Sequence, residues 1–217
     1  MAVVQNTLIG RTRGSIGGVV FTTQFGFNVA KSKPVSVAQP NSDKQRMQKS
    51  AMSQITAIAR QILGVIQVTF NALAVGKSAY NVFSSLNLRT AFDFSNPPTA
   101  VLLPSSLVIS KGTIAITPVS TAVVGVGGNS IDVTFPNSVE SVGQSLTDVA
   151  VVVAFNETNG KAAGWISGNV RSMGECAVDI TLIKSTNPVY HLYLAFISED
   201  GSKSSDSVHS VVPFAGN

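Results

Sequence analysis

The sequence predicts an α+β fold in two parts, and three observations carry that prediction. From residue 42 apolar residues recur at three- and four-residue steps, the period of an amphipathic helix. From residue 101 the texture changes to short β-prone runs separated by Gly, Ser and Asn turns. Between the two stands Asn96-Pro97-Pro98-Thr99, a breaker cluster of the kind that separates domains. The expected division is a basic arm and helical region over 1–97 and a β domain over 98–217.

The arm comes first. Gly14, Gly17 and Gly18 lead into Val19-Val20-Phe21-Thr22-Thr23, and Phe25-Gly26-Phe27-Asn28-Val29-Ala30 follows. Two such runs read as a β-hairpin or a pair of arms. A segment with so little apolar bulk is marginal alone and needs a neighbour to lie against.

Pro40-Asn41 ends the extended part, and Ser42-Asp43-Lys44-Gln45 is a capping box, with hydroxyl and amide placed to satisfy the first helical amides. Met47, Ala51, Ile55, Ile58, Ile62 and Ile66 then form one stripe, opposite Lys44, Lys49, Ser53, Thr56 and Arg60. The spacing predicts a helix over 42–63, a kink at Gly64, and helical character resuming toward Leu73. Gly76 breaks the pattern, and Ser78 caps a second amphipathic helix striped by Ala79, Val82, Phe83 and Leu86.

Eight candidate strands follow: Val101–Ile109, Thr113–Thr117, Ser130–Phe135, Val149–Phe155, Ala162–Val170, Ala177–Ile183, Val189–Ile197 and Val208–Pro213. Short strands punctuated by turns in this way predict an immunoglobulin-like β-sandwich. The cysteine pair of true immunoglobulin domains is absent, so Trp165 is the expected large core anchor.

Charged residues make up only 12% of the chain, about half the usual share, and mean hydropathy is +0.30. Low charge suits a surface covered by neighbouring subunits, where Lys and Glu are disfavoured. The charge is also split: residues 1–100 carry a net +8 and residues 101–217 a net −4. A basic front and an acidic back attract copies head to tail, or turn the front toward a polyanion. The start lacks the pattern of a signal peptide. The most apolar stretch, 62–75, is interrupted and shorter than the ~20 residues of a spanning helix, so no membrane partner is expected. One cysteine, Cys176, excludes an internal disulfide and fits a reducing compartment.

No catalytic constellation is expected. His191 and His209 stand in strand patterns, no Gly-x-Ser-x-Gly elbow is present, and Cys176, Asp179 and Asp206 complete no recognisable triad. Two histidines eighteen residues apart lack zinc spacing, and Glu199-Asp200 reads as a solvated turn. Gly125-Val126-Gly127-Gly128 precedes a strand and not a helix, so it reads as a turn and not a phosphate loop. Neither a cofactor nor a metal site follows. The residues with most weight are Arg11, Arg13, Lys31 and Lys33 on glycine-flanked segments, and Lys44, Arg46 and Lys49 at a helix start. They are candidate contacts for a polyanion or an acidic subunit surface.

Ile9-Gly10, Gly14-Ser15-Ile16-Gly17-Gly18-Val19-Val20, Lys31-Ser32-Lys33-Pro34 and Gln39-Pro40-Asn41-Ser42-Asp43-Lys44-Gln45-Arg46 together resemble a poorly characterised family. Its members are encoded in Bacteroidota genomes, prophages and phages. They pair a G-x-x-G-x-V-G opening with R-S-K-P and N-P-x-T-x-x-Q before a long helix. Tyr193 to Gly201 and Ser205-Asp206-Ser207 resemble the family's closing strand pair, so the resemblance spans nearly the whole chain. Lys31 and Gln39 depart from the pattern, where the family carries Arg and Asn.

The resemblance implies a phage virion structural protein without catalytic residues. The expectation is a capsid or coat subunit that self-assembles in many copies with other virion proteins, after synthesis in the host cytoplasm. Sequence-independent contact with packaged nucleic acid is the lesser role expected of its basic region. The alternative from another class is a surface-displayed adhesion or carbohydrate-binding module using its sandwich loops.

Overall fold

A computed structural model describes residues 2–4, 13–36, 42–139, 141 and 143–212, and the chain divides into two compact units, 1–41 and 42–217. The first unit is a four-stranded antiparallel sheet of β1 (Ala2–Val4), β2 (Gly14–Ile16), β3 (Val19–Gln24) and β4 (Phe27–Ser32), ordered β1-β4-β3-β2. The expected hairpin is β3–β4. It turns through Phe25 (φ +50°) and Gly26 (φ +85°), the double positive φ whose twist matches the flanking strands. Phe25 is strained in that region, where its Cβ meets the backbone. Val29 is the one buried side chain described in this unit, while Ile16 is 75%, Phe25 64% and Phe27 52% exposed.

The second unit opens with α1 (Asp43–Gln61), α2 (Leu63–Thr69) and α3 (Ala79–Thr90). The capping box forms, with Ser42 N–H donating to Gln45 Oε1 at 3.2 Å. Ser78 Oγ accepts from Asn81 N–H at 3.2 Å to start α3. The break between the first two helices falls at Ile62 and not at Gly64. No helix of the described residues is long and apolar enough to cross a membrane.

Short strands β5 (Phe92–Asp93) and β6 (Val101–Leu102) pair with each other. Seven strands follow: β7 (Thr121–Val124), β8 (Ser130–Thr134), β9 (Val149–Asn156), β10 (Lys161–Val170), β11 (Glu175–Asp179), β12 (Tyr190–Ile197) and β13 (Val208–Val212). They form two antiparallel sheets, ordered β10-β9-β12-β13 and β11-β8-β7. A period of two sends Val152 and Ala154 of β9 and Leu192, Leu194 and Phe196 of β12 to one face. There they share a core with Ile131 and Val133 of β8 and Cys176 and Val178 of β11. Burial pushes the Cys176 thiol up to about 12. Val151, Val153, Phe155 and Tyr193 take the opposite face and pack on Ile55, Ile58, Ile62, Ile66 and Phe83 of the helical layer. A sheet covered on both faces accounts for the unbroken apolar run from Val149 to Phe155.

Helices and sheets therefore share one unit, and Asn96-Pro97-Pro98 lies inside it; the division falls after Asn41. Several expectations need correction. Trp165 is 57% exposed, because β10 lies at the sheet edge beyond the shared core; Tyr190, Phe196 and Phe135 fill that core instead. Of the predicted strand 101–109 only Val101–Leu102 forms, since Pro104 opens a 3-10 turn. Over 113–117 only an isolated bridge at Ile114 forms, and 177–183 ends as a strand at Asp179, whose Oδ1 accepts from Thr181 N–H at 2.8 Å. Strand β7 was not expected from the sequence.

Two polar features tie the unit together. Arg171 is completely buried, its Nη2 donating to Asp148 Oδ2 at 3.3 Å, its Nε to Ser145 O at 3.2 Å and its Nη1 to Thr117 Oγ1. The guanidinium lies 3.9 Å from the centroid of the Phe196 ring. Elsewhere residues 110–114 run along 204–207. Ile114 N–H donates to Ser204 O at 3.0 Å, Gly112 N–H to Asp206 Oδ1 at 2.9 Å, and Ser204 Oγ to Thr69 O at 2.9 Å.

Candidate functional site

The seven basic candidates are divided along the chain between the two units. Arg11 lies outside the described residues. Arg13 precedes β2, Lys31 is on β4 and Lys33 follows it, with Lys33 N–H donating to Gly18 O at 2.7 Å. Lys31 shares a sheet face with Val29 and Phe27, because the three alternate along one strand. Lys44, Arg46 and Lys49 belong to the other unit, on the first turns of α1, where Arg46 faces Asp43 at 3.8 Å. Lys49 and Arg60 border a shallow groove along α1 with Met52, Ser53 and Thr56. The Glu199-Asp200 turn is closed by Asp200 Oδ1, which accepts from Ser198 Oγ, Ser202 Oγ and Ser202 N–H at 2.6–3.0 Å and is held near pKa about 2 by them.

A cluster the sequence did not reveal lies on the helix-facing side of the β10-β9-β12-β13 sheet. Strand β9 ends in buried Asn156, whose Nδ2 donates to Ile183 O at 2.6 Å and Ser185 Oγ at 2.9 Å, fixing the turn that carries Glu157. Glu157 N–H donates to Val189 O at 2.9 Å and prolongs the ladder, so Glu157 shares a face with Phe155, His191 and Tyr193. On the neighbouring strand His209 pairs with Tyr193. The chain's two histidines thereby meet: His191 Nδ1 is 2.9 Å from His209 Nε2, and His191 Nε2 is 3.0 Å from Glu157 Oε2. The imidazole rings stack with centroids 5.2 Å apart.

The carboxylate only accepts, so His191 Nε2 carries the hydrogen of their shared bond. With both rings neutral, His191 Nδ1 accepts from His209 Nε2–H. Protons on all four ring nitrogens would set two N–H groups against each other. No hydroxyl or thiol joins this chain of bonds among the described residues. The hydroxyl of neighbouring Tyr193 donates to Pro104 O at 2.7 Å, and burial with the Glu157 charge pushes its pKa upward. Such a chain can hold a carboxylate in place and move a proton; it offers no nucleophile.

Glu157 also borders a cavity of about 300 Å³ between α1 and the sheet. Its walls are Ala57, Ile58, Leu102, Pro104 and Phe155, and Gln54 completes the polar rim. Gln54 is already committed, donating from Nε2 to Ala100 O at 2.9 Å. Among the described residues no group of three or more His, Cys, Asp or Glu is placed to hold a metal ion.

Burial and then the charge of His191 lower the pKa of His209 from its ordinary 6.5. A histidine depressed by folding binds its proton more readily in the unfolded chain, so its contribution is full above pH 6.5 and is lost as the pH falls below it. Urea midpoints measured between about pH 7.5 and about pH 5 should fall with acidity. The fall should be smaller in His209→Gln; identical slopes in the two proteins would remove His209 as its source.

A family model described as a family of unknown function (DUF6266) matches residues 11–210, and the chain belongs to that family. No curated protein and no solved structure matches it.

Proposed function

We propose that this family member is a phage virion structural protein, a capsid or coat subunit that assembles in many copies with other virion proteins in the host cytoplasm. The observation that carries the reading is the first unit. It is a sheet with a single buried side chain among those described and with Ile16, Phe25 and Phe27 open to solvent. Residues 1–42 hold four cations and no acid. A sheet of that kind gains its stability on a neighbour's surface.

The open face of β11-β8-β7 is an acceptor of matching charge. There Asp132, Glu175 and Asp179 surround Val123 and Ala177, all exposed. The sheet pair of the second unit supports the finer reading as an immunoglobulin-like sandwich, with this face supplying the lateral contact. Exposed Trp165 favours a second reading, a surface-displayed carbohydrate-binding or adhesion module, since sugar rings stack on exposed aromatics.

Light scattering and electron micrographs of the full chain test assembly. The expected result is large uniform particles, reduced to small species when Arg11, Arg13, Lys31 and Lys33 are all replaced by Gln. If those cations meet genome instead, particles persist and the slope of log affinity for duplex against log salt flattens by up to ~4 units. A wild-type monomer at every concentration overturns the proposal.

A further inference from the structure

We infer that the cavity between α1 and the β10-β9-β12-β13 sheet is a binding site for an amine on an apolar body, an arylalkyl- or alkylammonium group. Three observations converge on that chemistry. The cavity measures about 300 Å³, room for a ligand of roughly ten heavy atoms, within the size range of small-molecule sites. Its walls, from Ile58, Leu102, Pro104 and Phe155, are aliphatic or aromatic and offer a hydrocarbon body only apolar contact.

At the rim stands one carboxylate, Glu157, whose Oε2 is held by His191. No Lys or Arg side chain within salt-bridge distance is found for Glu157 among the described residues. Its side chain is 53% exposed, so a cation reaches it without passing through the core. His191 is itself fixed by His209, which sets the direction the carboxylate faces before any ligand arrives. An anion would be repelled at that rim, and a neutral apolar molecule would leave the carboxylate with His191 and water alone. An ammonium head satisfies it.

The source is either a free amine or a lysine side chain of a neighbouring copy, and one experiment separates them. Binding of 2-phenylethylamine, 2-phenylethanol and 3-phenylpropionate to the full chain is measured by calorimetry. The amine should bind about tenfold or more tighter than the alcohol, the gain of a hydrogen bond to a charged partner, and the carboxylate should not bind.

Glu157→Gln should erase the difference between amine and alcohol. Ala57→Phe, which fills the cavity from an exposed helix position, should abolish binding of both. Far-ultraviolet spectra and melting curves check that both variants are folded. If Ala57→Phe also lowers particle mass, the bound amine is a neighbour's lysine; unchanged mass assigns a free ligand. Equal affinity for amine and alcohol in the wild type, or unaltered binding in Ala57→Phe, overturns the inference. Neither result depends on the virion reading, which stands or falls on particle formation.

Discussion

Arg171→Ala is expected to destabilise the second unit by about 3–5 kcal/mol, as much as the loss of a large buried aromatic side chain. The Asp148 side chain is only 3% exposed, and without Arg171 its charge is left buried with a single N–H donor, from Ser145 at 2.8 Å. Ser145 O and Thr117 Oγ1 each lose one partner in the same stroke, keeping Asp148 N–H at 3.2 Å and Gln144 Nε2 at 3.4 Å, and the face of Phe196 loses its cation. Urea unfolding measures the loss directly, against a total stability of roughly 5–15 kcal/mol for a domain.

Replacing both charges, Arg171→Met with Asp148→Leu, should recover part of the loss. Removing the pair avoids an unpaired buried ion, but the guanidinium bonds to Ser145 O and Thr117 Oγ1 are not restored. A single-mutant cost below about 1 kcal/mol, the range of exposed ion pairs, would show that water reaches Asp148 when Arg171 is gone.

Gly112→Ala is expected to be nearly as costly for a different reason. A Cβ at residue 112 would stand 1.9 Å from Ser204 O and 2.5 Å from its carbonyl carbon. Backbone cannot rotate aside as a side chain can, so the 110–114 and 204–207 segments must separate. The separation strains or breaks the bonds from Gly112 N–H to Asp206, Ile114 N–H to Ser204 O and Ser204 Oγ to Thr69 O. Overpacking of ~1–3 kcal/mol with ~1 kcal/mol for each lost hydrogen bond gives about 3 kcal/mol or more. Gly168→Ala, where nothing lies within 4 Å of the added carbon, is the control and should stay within about 0.5 kcal/mol. Matching melting shifts for the two variants would show that the seam yields without loss.

The elements legible in the sequence are those encoded by neighbours along the chain. The Ser42–Gln45 box, the Ser78 cap and the 3.6-residue stripe each lie within one helix, and they place α1 and α3 to within a residue or two. The runs of β8, β9, β10, β12 and β13 are likewise local. Burial is not local. Trp165 and Val152 face each other across paired strands, yet one is open to solvent and the other enclosed, because only β9 has a strand on both sides. Arg171 shows the converse: a residue that composition assigns to the surface is enclosed because a carboxylate 23 residues away meets it.

The candidate site is hidden for the same reason. Glu157, His191 and His209 belong to three chain segments, and only the registers of β12 with β9 and β13 bring them into contact. Each histidine read singly is an ordinary strand residue. The basic residues were legible as a composition bias, but their division between two units follows from where the chain breaks, after Asn41 and not at the prolines.

Cys176 is the chain's only thiol and lies sealed between two sheets. Oxidation therefore cannot rivet one copy of the folded protein to the next through a disulfide. The same sulfur is a clock. At neutral pH a thiol-reactive dye finds no thiolate on the closed molecule, so each labelled chain counts one parting of the sheets, and the labelling rate times how often the core breathes.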